Sequence, residues 1–169
     1  MKKILLVVFV LGSACILKAQ EQDSTYKYWM TLGLMAYNNN GATLNLSYSF
    51  NIGHNFYKAG YSAKGDILHT SVPAKDGYQY QAVDVSIGKR WQSEWFQAAL
   101  FAGPAYVFGK KRITYGNNED YHTVGLNTDL QLLFRLANEV GIGVGLYGNV
   151  NFDHSYAGIN VNFAIGNGK

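Results

Sequence analysis

Residues 42–53 read Ala-Thr-Leu-Asn-Leu-Ser-Tyr-Ser-Phe-Asn-Ile-Gly. Ala42, Leu44, Leu46, Tyr48, Phe50 and Ile52 alternate without a break with Thr43, Asn45, Ser47, Ser49 and Asn51. Strand side chains point to opposite faces at period two, so this stretch is a long β-strand lying between an apolar and a polar environment.

The pattern repeats along the chain. It predicts strands over residues 28–37, 56–64, 78–91, 96–108, 124–135, 140–147 and 157–165, eight in all with the first stretch quoted. Their apolar phases are Met30, Leu32 and Leu34; Tyr57, Ala59 and Tyr61; Val83, Val85 and Ile87; Leu100, Ala102 and Tyr106; Leu126, Leu130 and Leu132; Ile142, Val144 and Leu146; and Ile159, Val161 and Phe163. Lengths near ten residues suit tilted membrane-crossing strands. Connections after the second, fourth and sixth strands are short. Those over residues 65–77 and 109–120 are long and polar, which predicts two extracellular loops opposite a short-turn periplasmic end.

Residues 1–19 read as a signal peptide: Lys2 and Lys3, an apolar run from Ile4, and Leu17-Lys18-Ala19 before Gln20. That run is too short to span about 30 Å of hydrocarbon as a helix. A lipoprotein signal at Cys15 is the competing reading, although Gly12 stands where such signals want a large aliphatic residue. Residues 20–169 then form one barrel domain.

The chain carries 14 Lys+Arg and 11 Asp+Glu, and the signal holds Lys2, Lys3 and Lys18 but no acid, which leaves 11 basic residues against 11 acidic. Nucleic-acid binding therefore has no electrostatic motive. The one cysteine lies in the signal, so no mature disulfide or thiol chemistry is expected.

Alternation alone does not say which face is inside, because a soluble ligand-binding barrel has the same period with its apolar face inward. The polar phase here is mostly Gly, Asn, Ser and Thr. Only 15% of the chain is charged, against about 25–35% for a soluble surface. The apolar phase is nearly free of charge in mid-strand, where a basic residue costs about 2–4 kcal/mol in a bilayer. Aromatic residues gather at strand ends: Phe50, Phe56, Trp91, Trp95 and Phe134 at one end, Tyr80, Tyr106, Phe108, Tyr121 and Tyr156 at the other. Two such groups predict the two interfacial belts. The fold class is therefore all-β, an eight-stranded antiparallel up-and-down transmembrane β-barrel.

On these residues the chain resembles the small outer-membrane β-barrels of Gram-negative bacteria, of the OmpX and OmpA-transmembrane-domain kind. Lys18-Ala19-Gln20 and Phe101-Ala102-Gly103-Pro104-Ala105-Tyr106 look like Bacteroidota members. The resemblance covers residues 26–166 and implies an outer-membrane location, contact with lipids and lipopolysaccharide, and insertion by the barrel-assembly machinery. Members often end on an aromatic residue; here Phe163 and Ile165 are followed by Gly166-Asn167-Gly168-Lys169.

Five charges fall on the predicted inner face: Lys58, Asp84, Arg90, Asp129 and Arg135. Charges in a narrow interior must pair, so they predict a structural charge network, or a gate for small solutes. An eight-stranded interior is about filled by its own side chains, which opposes an open pore. Lys110, Lys111 and Arg112 form an outer basic cluster suited to lipopolysaccharide phosphates, or simply a solvated loop.

Asp153-His154-Ser155 holds the residue types of acyl transfer where an outer-leaflet lipid A-modifying enzyme would work. Adjacent residues of an extended segment diverge, however, so a polar loop is expected. His54, His69 and His122 show no metal-site spacing. Gly141, Gly143 and Gly145 fall on the inner face, where they read as positions without room for a side chain. The sequence thus predicts a non-enzymatic barrel, without cofactor, whose outer loops meet a surface partner; a narrow gated channel and a lipid A-modifying enzyme are the alternatives.

Overall fold

The computed structural model describes residues 27–37, 42–53, 55–64, 78–114, 117–137 and 139–166. The predicted signal peptide, the loop at 65–77, His54 and His69 lie outside them. Eight strands follow in order: β1 Tyr28–Tyr37, β2 Ala42–Ile52, β3 Asn55–Lys64, β4 Tyr78–Gln92, β5 Phe96–Thr114, β6 Asn117–Arg135, β7 Val140–Asn151 and β8 Tyr156–Ile165. Each pairs antiparallel with its sequence neighbour, and β8 returns to β1 through Met30↔Ile165 to Tyr37↔Gly158, which closes the barrel. Closure matters because hydrocarbon offers no partner to an unpaired N–H or C=O.

The two phases separate as the sequence reading requires. Leu32, Leu34, Val83, Val85, Leu126 and Val161 stand exposed on the outside, while Thr31, Asn45, Ser47, Ser62, Ser86, Asn127 and Asn162 are buried within. Outward aromatics mark the short-turn end: Trp95 stacks on Phe134 at 5.9 Å between ring centroids, and Phe50 on Tyr57 at 5.8 Å. At the other end Tyr106 stacks on Phe108 at 5.8 Å. Gly53, at φ 59°, turns β2 toward β3 in a conformation that an L side chain adopts only with strain.

Two expectations need correction. Residues 109–114 and 117–120 are strand rather than loop. β5 and β6 continue as one long hairpin, with Lys110 opposite Asp120 and Lys111 opposite Glu119. Above a bilayer a sheet is wetted on both faces, so its polar composition breaks no strand, and opposite charges across the ladder favour the pairing. Tyr80, Tyr121, Tyr156 and Phe56 do not belong to the belts. Tyr80 and Tyr156 are 1% and 5% exposed and stack on each other at 4.3 Å, Tyr121 packs against their cluster, and Phe56 packs against the buried cluster of Trp29 and Phe101. Period-two parity places all four inside, and proximity to a strand end does not override it.

The outward face makes a depth-dependent prediction. Val85→Arg, in mid-strand, should lower unfolding stability in lipid vesicles by about 2–4 kcal/mol, whereas Trp95→Arg at the aromatic end should cost about 0–1 kcal/mol for its charge. Urea titration of both variants measures the contrast; equal costs would contradict a membrane-facing exterior.

Candidate functional site

The barrel interior is organised around Lys58. Its neighbours on β3, Gly60 and Ser62, face inward with it, and β3 lies beside β4 in a register that pairs Lys58 with Ser86 and Gly60 with Asp84. Asp84 therefore sits diagonally beside Lys58, while Asp129 comes from β6, across the interior. Lys58 Nζ lies 3.1 Å from Asp84 Oδ2 and 3.0 Å from Asp129 Oδ2, with all three side chains buried. One cation thus faces two carboxylates.

Neutral donors complete the arrangement. Ser86 Oγ donates to Asp84 Oδ2 at 3.0 Å, and Gln131 Nε2 donates to Asp129 Oδ2 at 2.8 Å. Trp29 Nε1 in turn donates to Gln131 Oε1 at 3.2 Å. Charge-assisted hydrogen bonds are the strong class, and in a low dielectric they must offset the loss of hydration.

Aromatic layers bracket this centre. On the long-hairpin side Tyr80, Tyr147 and Tyr156 form a stack, with Tyr147 6.0 Å from Tyr156 and its hydroxyl 3.3 Å from Ser62 Oγ. On the short-turn side Trp29, Phe101, Leu133 and Phe56 pack together. Lys58 Nζ lies 5.6 Å from the ring centre of Tyr147 and 5.9 Å from that of Phe101, so its charge meets one ring of each layer.

Glycines make the space. A Cβ on Gly60 would collide with the Asp84 carboxylate, and one on Gly145 with the carboxamides of Asn160 and Asn162. Gly125 stands in the same relation to Asn149. Large polar groups can fill so narrow a barrel only where the facing position lacks a side chain, as at Gly145; a Cβ on Gly143, also on β7, would meet the Leu132 backbone instead.

The structure divides the five predicted charges. Lys58, Asp84 and Asp129 meet at the centre. Arg90 and Arg135 lie instead at the short-turn mouth, where the Arg90 guanidinium sits 4.5 Å from the Trp29 ring centre and 5.5 Å from that of Phe56. Sequence reasoning leaves out Lys64, inward-facing and buried on β3, and Trp29 and Phe101, whose inward parity is their only signal.

Lys110 and Lys111 are exposed on the β5–β6 hairpin, opposite acidic partners; the side chain of Arg112 lies outside the described residues. Asp153-His154-Ser155 is a turn built around Asn151. The Asn151 Oδ1 accepts from the N–H groups of Asp153 and His154, and the Ser155 hydroxyl bonds to the Asn151 backbone at 3.0 Å. His122 Nδ1 lies 3.0 Å from the hydroxyl of Tyr106. Among the described residues no three His, Cys, Asp or Glu side chains gather as a metal site.

Removing Lys58 alone should be far worse than removing the whole group. Lys58→Met strands two buried carboxylates and should destabilise the barrel by about 3–5 kcal/mol; adding Asp84→Asn and Asp129→Asn should recover most of that. Unfolding titrations of the single and triple variants measure the coupling, and additive losses would contradict it.

No protein-family model matches the chain, and no curated protein matches it in sequence. Its likeness is to solved structures. The N-terminal β-barrel domain of Pseudomonas aeruginosa OprF superposes with a TM-score of 0.65 at 8% identity, covering 83% of this chain and 96% of that one. Neisserial surface protein A gives 0.59 at 9% identity over 83% and 94%. Ail, the attachment invasion locus protein of Yersinia pestis, gives 0.54 at 12% identity over 83% and 96%. The chain has the fold of the small eight-stranded outer-membrane β-barrels.

Proposed function

We propose that the protein is a non-enzymatic barrel of the Gram-negative outer membrane with a closed interior, acting as a structural and interaction module through its extracellular face. The observation that carries this reading is the interior itself: a buried ion triad held between two aromatic layers. An ion entering from either mouth meets packed rings, and beyond them a lysine already saturated by two carboxylates. Polar lining alone would equally suit a channel; the aromatic layers above and below argue for a plug.

The interaction role draws on the β5–β6 hairpin, which carries alternating charge above the membrane belt. On its outward phase Tyr106 and Phe108 are followed by Lys110. A cation one step above an interfacial aromatic pair stands at the height of lipid phosphates. Lys110 is accordingly assigned to lipopolysaccharide, with Lys111 on the other face of the same strand. Ail is by name an attachment protein, and attachment is one function that such a hairpin could serve. The lipid A-modifying alternative loses ground at its nucleophile, since the Ser155 hydroxyl is engaged by the Asn151 backbone.

Planar-bilayer recording tests the closed interior. The folded protein should produce no conductance steps, and Tyr80→Ala/Tyr156→Ala, which thins the upper layer, should produce few. Steps from the wild-type protein that vanish in Asp84→Asn would replace this reading with the gated channel. Separately, Lys110→Gln should reduce the stabilisation that lipopolysaccharide confers over phospholipid, by about 0.5–1 kcal/mol; an unchanged difference would remove the assigned contact.

A further inference from the structure

The ion group around Lys58 does not balance. One ammonium faces two carboxylates, Asp84 and Asp129, and among the described residues it is the only cation in contact with either. The donors that complete the group, Ser86 and Gln131, are neutral. The next inward cations stand at the aromatic layers. Lys64 lies level with Tyr80, and Arg90 rests on Trp29. Each is four residues along its strand from Gly60 or Ser86, the register partners of Asp84 and Lys58, which is about 13 Å at the strand rise of roughly 3.3 Å. The centre therefore holds one negative charge in excess, between rings on both sides. An unbalanced charge in so dry a place is strongly unfavourable.

Unpartnered oxygens lie beside that excess. Asp129 uses Oδ2 for Lys58 and Gln131, and its Oδ1 is buried without a hydrogen bond. Asn127, two residues along the same face of β6 and fully buried, makes none with either end of its carboxamide. On β8, Asn160 Nδ2 donates to Asn162 Oδ1 at 3.1 Å, which leaves Asn160 Oδ1 and Asn162 Nδ2 without partners. Both lie over Gly145, where a Cβ would collide with them. Gly145 is opposite Gln131 in register, and Gln131 is the residue that holds Asp129.

We propose that Asp129 Oδ1, Asn127 Oδ1 and Asn160 Oδ1 form a site for one monovalent metal cation of the sodium class, which neutralises the ion group through the carboxylate oxygen that Lys58 does not use. Hard cations take carboxylate and carboxamide oxygens, whereas zinc and its neighbours favour nitrogen and sulfur. A divalent ion would reverse the imbalance rather than remove it. A cation taken up while the barrel closes needs no open pore, so the site agrees with a non-conducting interior. It is independent of the extracellular role proposed above and would survive its failure.

Urea unfolding of the full-length protein in phospholipid vesicles tests it, with sodium chloride against choline chloride at equal ionic strength. Choline carries the same charge but is too large for the site. The folded-to-unfolded ratio should be about tenfold higher in sodium, the effect of a ligand at about ten times its dissociation constant. Asp84→Asn removes the excess charge without touching a proposed ligand and should abolish the difference. Asn127→Leu removes a ligand, keeps every charge and should shrink the difference. Glu94→Gln, which removes an exposed acid at the short-turn end, should keep it in full. Should Asp84→Asn fail to refold, Asn127→Leu decides the matter. Equal stability of the wild-type protein in the two salts overturns the proposal, as does a sodium effect undiminished in Asn127→Leu. Stability that follows pH but not the cation would assign the balancing charge to a proton and overturn it as well.

Discussion

Backbone pairing is the constraint on which everything else here depends. A strand that crosses hydrocarbon has no water to satisfy its N–H and C=O groups, so every strand needs a neighbour on both sides. The β1–β8 seam supplies the last two edges. Once the ring is closed with only eight strands, the interior has a fixed and small cross-section. The outward phase is left to lipid and must be apolar, and the inward phase must fill a narrow tube with whatever fits. Polar groups enter that tube because the outward phase has already taken the apolar residues, and they must then satisfy one another.

That second requirement explains the arrangement around Lys58. A lysine alone would be costly to desolvate, and so would either carboxylate. Together, with Ser86 and Gln131 donating to the same oxygens, they share the burden. Space is the other half of the problem. Gly60 gives room to Asp84, and Gly145 to the Asn160 and Asn162 carboxamides, so the small residues of one strand are the complement of the large polar residues on another. Such pairings are set by register, which the hairpins and the two-sided environment fix tightly: a slip of one residue would turn Leu46 inward and Ser47 toward lipid.

Much of this is legible in the sequence because period two is the simplest structural signal. Residues 42–53 carry it without a fault, and β1 is found within its observed bounds from the same pattern. The inward side of Lys58, Asp84 and Asp129 follows from parity alone. Their meeting does not, because it depends on height within the barrel, and height depends on the register of every intervening pair. Arg90 and Arg135 share the parity of the triad but lie at the mouth, which a single strand cannot reveal. The β5–β6 hairpin escapes sequence reading for a different reason: polarity marks a loop only where the surroundings are apolar, and above the membrane they are not. Tyr80 and Tyr156 show the converse error, in which position near a strand end outweighs the face on which the side chain falls.

The same parity has a consequence for how the two ends relate. Trp29 and Phe101 face inward on β1 and β5 just below the triad, and Tyr80, Tyr147 and Tyr156 do so above it. With rings on both sides, the acidic excess at Asp84 and Asp129 is separated from the arginines at the short-turn mouth by apolar material rather than by water. Screening by salt cannot reach a pair divided in this way, so any residual attraction between centre and mouth is a fixed property of the fold. The hairpin end, by contrast, sets Lys110 and Lys111 against Asp120 and Glu119 in full contact with solvent, where ionic strength tunes every interaction. One barrel thus presents three electrostatic environments of different salt sensitivity, and that difference lets changes made at one mouth be read without disturbing the other.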